Sequence, residues 1–185
     1  VRIISGLFRG KHIHAPGHLP VRPTTDFAKT GLFNILSNRY RFPDIRVADL
    51  FAGTGNLSYE FVSRGCSELY AVDNHPGCVR FIRDTFTLLK CGNKVQAVQA
   101  DALSWLKVQK TPFDIVFADA PFAETPAAEL VDAVLKYALI AAGGCLIIEH
   151  EVSHECSHLP GFQETRKYGT VCFSFFNPPS LQQLL

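Results

Sequence analysis

The sequence predicts an α/β fold: a mostly parallel, seven-stranded sheet with a C-terminal antiparallel hairpin, preceded by a small N-terminal hairpin and helix. From Val47 onward, short apolar runs alternate with stretches of helical periodicity, as βα units do. The runs Phe113-Asp114-Ile115-Val116-Phe117-Ala118 and Leu146-Ile147-Ile148 are almost continuously apolar, which marks central strands covered on both faces. Thirdly, a glycine-rich turn, Gly53-Thr54-Gly55, follows the first of these runs and opens a helical stretch.

Each element has a local reason. Arg2-Ile3-Ile4 and Lys11-His12-Ile13-His14 alternate around Gly6 and Gly10, which reads as a small hairpin. Thr24 or Thr25 can cap a helix in which Phe27, Leu32, Phe33, Ile35 and Leu36 recur at helical spacing up to about Asn38; Gly31 weakens it. Strands are expected at 47–51, 69–73, 95–100, 113–119 and 145–149, with helices near 57–63, 76–89, 102–108 and 126–140. After Pro160-Gly161, segments 163–168 and 170–176 around Gly169 read as the closing hairpin. The tail from Asn177-Pro178-Pro179 is expected to be weakly ordered.

A length of 185 residues suits one domain, residues 1–185, made of an extension (1–46), a core (47–176) and a tail (177–185). With 47 % hydrophobic and 19 % charged residues the chain is neither disordered nor fibrous. No apolar run approaches the roughly 20 residues of a membrane helix, and the first residues lack a signal-peptide core, so a cytoplasmic location is expected. Six scattered cysteines without a C-x-x-C pair read as reduced, mostly buried thiols. Net charge is +1, but residues 1–46 hold eight basic side chains against Asp26 and Asp44, leaving the remainder acidic. A basic arm on an acidic body suits a polyanionic partner, and Arg2, Arg9, Lys11, Arg22 and Lys29 are the candidate contacts; a solvated basic face is the plainer alternative.

The first strand ends in Asp49-Leu50-Phe51-Ala52-Gly53-Thr54-Gly55, at the carboxyl edge where open α/β sheets bind ligands. Asp73 closes the second strand, followed by Asn74, and a carboxylate there can accept both ribose hydroxyls. Ser58 stands where dinucleotide enzymes have Gly or Ala, and Asp49 would sit badly beside a pyrophosphate. Both favour S-adenosylmethionine, whose amino-acid end is cationic, over a dinucleotide; a tight turn with no ligand is the remaining alternative. Asp101 and Ala102 follow the third strand, where Asp101 can accept the adenine amine, cap the next helix, or do both.

Asp119-Ala120-Pro121-Phe122 ends the fourth strand, beside the first. Together with Arg2-Ile3-Ile4-Ser5-Gly6, Arg9-Gly10, Arg22-Pro23-Thr24-Thr25-Asp26, Leu32-Phe33-Asn34 and the glycine turn, it resembles the bacterial small-subunit ribosomal RNA guanine-N2 methyltransferases of the RsmD type. The Arg-Pro-Thr-Thr-Asp segment is the most specific element, since the glycine turn is common to all Rossmann-like methyltransferases. The resemblance implies a Rossmann-like methyltransferase fold, S-adenosyl-L-methionine as cofactor, and ribosomal RNA or the assembling small subunit as partner. It implies no metal, and no obligate protein partner is inferred. It also implies that Asp119 and the carbonyl of Ala120 hold the two hydrogens of a base amine while Phe122 stacks on the base. The family has proline where Ala120 stands, although Pro121 still restrains Ala120 to an extended backbone. The tetrapeptide chemistry is equally suited to adenine or cytosine amines or to DNA, and an RNA-binding assembly factor with lost catalysis is a reading of another class.

One further pattern competes. His150-Glu151-Val152-Ser153-His154 matches H-E-x-x-H, with Cys156 and His158 nearby. On a helix it would bind zinc. Here it follows a buried strand and is cut short by Pro160-Gly161, so polar loop residues are expected instead.

Overall fold

The computed structural model describes residues 1–19, 24–121 and 126–177. Arg22 and Phe122, two expected site residues, lie outside the described residues, as does the tail beyond Asn177.

The elements follow in the order α1 (Asp26–Arg39), β1 (Arg46–Leu50), α2 (Asn56–Ser63), β2 (Glu68–Asp73), α3 (Pro76–Leu88), β3 (Val95–Gln99), α4 (Ala102–Lys107), β4 (Phe113–Ala118), α5 (Ala127–Lys136), β5 (Ile140–Glu151), β6 (Phe162–Tyr168) and β7 (Val171–Phe176). They form one seven-stranded sheet in the order β3-β2-β1-β4-β5-β7-β6. The first five strands are parallel, β7 runs antiparallel to β5, and β6 pairs antiparallel with β7, so only β7 is reversed. Strand order reverses between β1 and β4, which opens a crevice beyond their carboxyl ends.

Alternation along the strands gives two cores. Val47, Ile115, Phe117, Ile147 and Phe173 face one side, where α1, α2 and α3 supply Leu32, Phe33, Phe61 and Ile82. Ala48, Leu50, Val116, Leu146 and Ile148 face the other, against Trp105 and Leu106 of α4 and Leu130 and Val134 of α5. Both faces are buried, so these strands read as nearly unbroken apolar runs. No helix among the described residues is long and apolar enough to cross a membrane. All six cysteines are free thiols, four of them buried.

Two boundaries differ from the expectation. The last helix stops at Lys136, because Ala138 turns left-handed at φ 50°, and β5 begins at Ile140 instead. Its early start is possible because Gly144 passes close to β4, where a Cβ would lie 2.6 Å from the Asp114 carbonyl. The N-terminal hairpin forms but is short: around the Arg2 and His12 bridge, Val1 and Ile13 exchange main-chain hydrogen bonds, the Ile3 N–H donates to the Lys11 carbonyl and the Gly10 N–H to the Ile3 carbonyl. Beyond Ile3 the main-chain donors turn to α2 instead: Ile4 and Ser5 give their N–H groups to Glu60, and Leu7 gives its own to the Ser63 carbonyl. The tip of the hairpin is laid across α2, and Gly6 is needed there, since a Cβ would fall 1.9 Å from the Ser63 oxygen.

Gly31 in α1 also has a packing role. A Cβ there would lie 2.0 Å from the Tyr168 ring, which packs against Phe27 and Phe173. The glycine lets α1 approach the closing hairpin.

Candidate active site

The carboxyl ends of β1 and β2 form the first wall of the crevice. Phe51 is left-handed at φ 59°, Gly53 and Gly55 follow at 54° and 81°, and Gly55 caps α2. Glycine suits the last position twice over, by its φ and because a Cβ would meet the Tyr59 ring at 2.8 Å. Asp73 stabilises the turn from the neighbouring strand: one oxygen accepts the Gly53 N–H and the other the His75 N–H, both at 2.8 Å. Each carboxylate oxygen has a second lone pair, so the half-buried group can still accept ligand hydroxyls. Thr54 is buried within the turn, while Asn74 is exposed after β2.

Asp49 lies beneath this turn, 2 % exposed, and accepts a hydrogen bond from Ser58. Burial pushes its carboxyl up to about 7, with the nearby Asp119 and Asp73 adding to the shift and Ser58 opposing it. Ser58, which in the sequence served only to disfavour a dinucleotide, is thus the partner that makes a buried acid tolerable here. Asp101 caps α4 by accepting the Ser104 N–H at 2.8 Å, and that bond holds its carboxyl below the ordinary range. Ala102 is buried behind it.

Asp119 follows β4 directly, with Ala120 buried and Pro121 exposed. Although Asp119 opens to solvent, the crevice wall around its carboxyl raises its pKa. On β5 the next register step after the Ala118 and Ile148 pair brings Glu149 alongside. Asp49, Asp119 and Glu149 share the parity of Val47, Phe117 and Ile147, so the three acids lie on one face of the sheet, with Asp119 and Glu149 side by side two residues beyond the level of Asp49, which pairs with Phe117. Glu149 is buried, and burial first, then the Asp119 charge, raises its carboxyl pKa, while the hydrogen bond from Thr24 opposes the rise. Sequence reasoning missed Glu149, whose only sign was an acid interrupting the apolar run of β5.

The basic candidates divide. Arg2, Arg9 and Lys11 are exposed on the N-terminal arm, with Arg2 3.5 Å from Asp26 and Lys11 over the Phe8 ring. Lys29 is not a surface cation, which corrects the expectation. It is 0 % exposed, and its ammonium donates to the Arg2 carbonyl at 2.6 Å and to Asn56 Oδ1 at 2.8 Å. Burial draws its pKa down, against the fields of Glu60 and Asp26. A cation one turn into α1, on the same side as Ala28, Leu32 and Phe33, could have been read as inward-facing.

The H-E-x-x-H residues are not arranged on a helix. His150 and Glu151 are the last two residues of β5, not loop residues as expected, because both pair with β7; His150 is buried with Nε2 2.7 Å from Ser174 Oγ, while His154 lies beyond the strand. Among the described residues no group of His, Cys, Asp and Glu side chains has the arrangement of a metal site.

Known proteins resemble the chain in sequence and in fold. Residues 1–177 match the family model described as "Conserved hypothetical protein 95". The chain is 30 % identical over 160 residues to ribosomal RNA small subunit methyltransferase D of Escherichia coli K12, covering 86 % of this chain and 79 % of that one. A second similar protein is the same-named methyltransferase of Buchnera aphidicola (strain Bp), 28 % identical over 151 residues, 82 % of this chain and 76 % of the other. Among solved structures, Escherichia coli yhhF, a provisionally assigned methyltransferase, superposes with a TM-score of 0.82 at 27 % identity, over 95 % of this chain and 96 % of its own. The chain therefore belongs to the "Conserved hypothetical protein 95" family, the family of the ribosomal RNA small subunit methyltransferases D.

Proposed function

We propose that this protein transfers a methyl group from S-adenosylmethionine to the exocyclic N2 amine of a guanine in small-subunit ribosomal RNA. The observation that carries the reading is the placement of Asp119 beside the glycine turn, on the same sheet face as Asp49. The family relatives named as ribosomal RNA small subunit methyltransferases support the substrate class.

The residues present fit the cofactor. Two left-handed glycines bring main chain close to a ligand, and Asp73 keeps acceptor capacity for ribose hydroxyls. Phe51, Gly53, Thr54, Gly55 and Asn74 would line the nucleoside, Asp101 and Ala102 the adenine side, and the field of Asp49 the cationic amino-acid end. The sulfonium of the bound cofactor supplies an already activated methyl group. The chain must therefore orient a weak nucleophile, since the amine lone pair of guanine is delocalised into its ring. Asp119 and the Ala120 carbonyl accept the two amine hydrogens and aim the lone pair, and Phe122 stacks on the base. Arg2, Arg9, Lys11 and Arg22 would contact RNA phosphates.

Replacing Asp119 with alanine is expected to lower methyl incorporation into undermodified small subunits by about 100-fold or more. Cofactor affinity by calorimetry should change little. Turnover equal to that of the wild type would overturn the role of Asp119, and methylation mapped to an atom other than a guanine N2 would overturn the target.

A further inference from the structure

A chain of polar contacts crosses the molecule behind the crevice. Thr24 sits at its centre and touches both halves of the site. Its hydroxyl donates to Glu149 Oε2 at 2.7 Å, at the carboxyl end of β5, and its carbonyl accepts from Asn56 Nδ2 at 2.7 Å. Asn56 is the first residue of α2, immediately after the glycine turn, and its Oδ1 accepts from the Lys29 ammonium at 2.8 Å. Lys29 then donates to the Arg2 carbonyl at 2.6 Å. Glu149, Asn56 and Lys29 are all buried. Thr25 caps α1 by accepting the Ala28 N–H at 3.2 Å, so Thr24 is left for this task.

The topology makes the connection matter. The glycine turn follows β1, Asp119 follows β4 and Glu149 lies on β5, so the parallel ladder fixes the strands but not the loops above them. Thr24 joins loop side to strand side in two hydrogen bonds. We propose that Thr24 and Glu149 are positioning residues, which with Asn56 and Lys29 set the spacing between the glycine turn and Asp119. Their effect on methyl transfer rests on the function proposed above. In that reaction the donor methyl and the acceptor amine must meet in line, and a misplacement of about 1 Å can cost as much as 100-fold in rate.

The decisive variant is Thr24→Val, which keeps the branched shape and removes the hydroxyl, with Thr24→Ser as the conservative rescue. Single-turnover methyl transfer should fall about tenfold or more in Thr24→Val, and return to within about threefold of the wild type in Thr24→Ser. Affinity for S-adenosylhomocysteine should stay within about threefold in both, because neither residue is placed against the cofactor. Amide hydrogen exchange of residues 24–29 and 56–58 should quicken in Thr24→Val and not in Thr24→Ser. An unchanged exchange pattern, an unchanged transfer rate in Thr24→Val, or a serine variant as slow as the valine one would overturn the proposal. If the wild type binds S-adenosylhomocysteine but transfers no methyl group to ribosomal RNA, the function reading fails, and the exchange comparison still decides whether Thr24 braces the two loops.

Discussion

Glu60 holds the N-terminal arm at Ile4 and Ser5, and removing it separates two ways the molecule can respond. The carboxylate is fully buried and accepts from the Ile4 N–H at 2.8 Å, the Ser5 N–H at 3.1 Å and the Arg64 side chain at 2.9 Å. If the arm stays in place in Glu60→Ala, two amides and a guanidinium lose their acceptor; breaking a buried pair of this kind costs about 3–5 kcal/mol. If instead residues 4–8 lift while Lys29 keeps Arg2 in place, water hydrates those groups, and the loss is that segment's remaining contacts: the Leu7 and Phe8 N–H groups to Ser63, and the Ser63 hydroxyl to the Ser5 carbonyl. The second route limits the penalty to about 2–4 kcal/mol, on the scale of three hydrogen bonds. Lifting is therefore expected. Urea unfolding followed at Trp105, the single tryptophan, should show that loss with a smaller m-value, since less surface remains to be exposed. Native-state exchange should lose protection at Ile4 and Ser5. A loss below about 1 kcal/mol with both amides still protected would refute the account of how the arm is held.

Two other predictions concern packing and protonation. Gly31→Ala should destabilise by about 1–2 kcal/mol, because overpacking against the Tyr168 ring outweighs the roughly 1 kcal/mol that alanine adds to a helix; in a Tyr168→Ala background the same change should stabilise, and an unaltered sign would disprove the contact. Asp49 has a folded pKa raised from 3.8 to about 7, so the folded state holds its proton more tightly than the unfolded chain. Its favourable contribution is complete below about pH 4 and is lost as pH rises toward 7. Asp49→Asn should accordingly gain stability relative to the wild type across that interval, and a gap between the two that stays constant with pH would refute the burial argument.

The sheet was legible in the sequence because its strands are covered on both faces, which leaves apolar runs that need no partner to be recognised. The glycine turn, Asp73 and Asp119 were legible for a different reason: each terminates such a run, so strand prediction alone places them at one edge. What escaped were features set by distant partners. Lys29 counts as a charge in the composition, and only the Asn56 side chain and the Arg2 carbonyl, 27 residues away in either direction, show that it faces inward. Glu149 and Thr24 are 125 residues apart, and no local pattern joins them. The hairpin expected at the N-terminus pairs Val1 with Ile13 and Ile3 with Gly10 and Lys11, but past Ile3 Glu60 and Ser63 of α2 take the Ile4, Ser5 and Leu7 amides in place of further cross-strand bonds. Local periodicity carries no record of such competition.

The buried ammonium of Lys29 and the carboxylate of Glu60 also decide when the arm's disorder is removed. Both hold main chain, the Arg2 carbonyl and the Ile4 and Ser5 amides, rather than side-chain tips. Conformational entropy of this segment is lost when the protein folds, and a polyanion meeting Arg2, Arg9 and Lys11 encounters a surface already fixed in shape. Under the proposed function, such an arm discriminates by contour, favouring RNA whose phosphates match a preset outline.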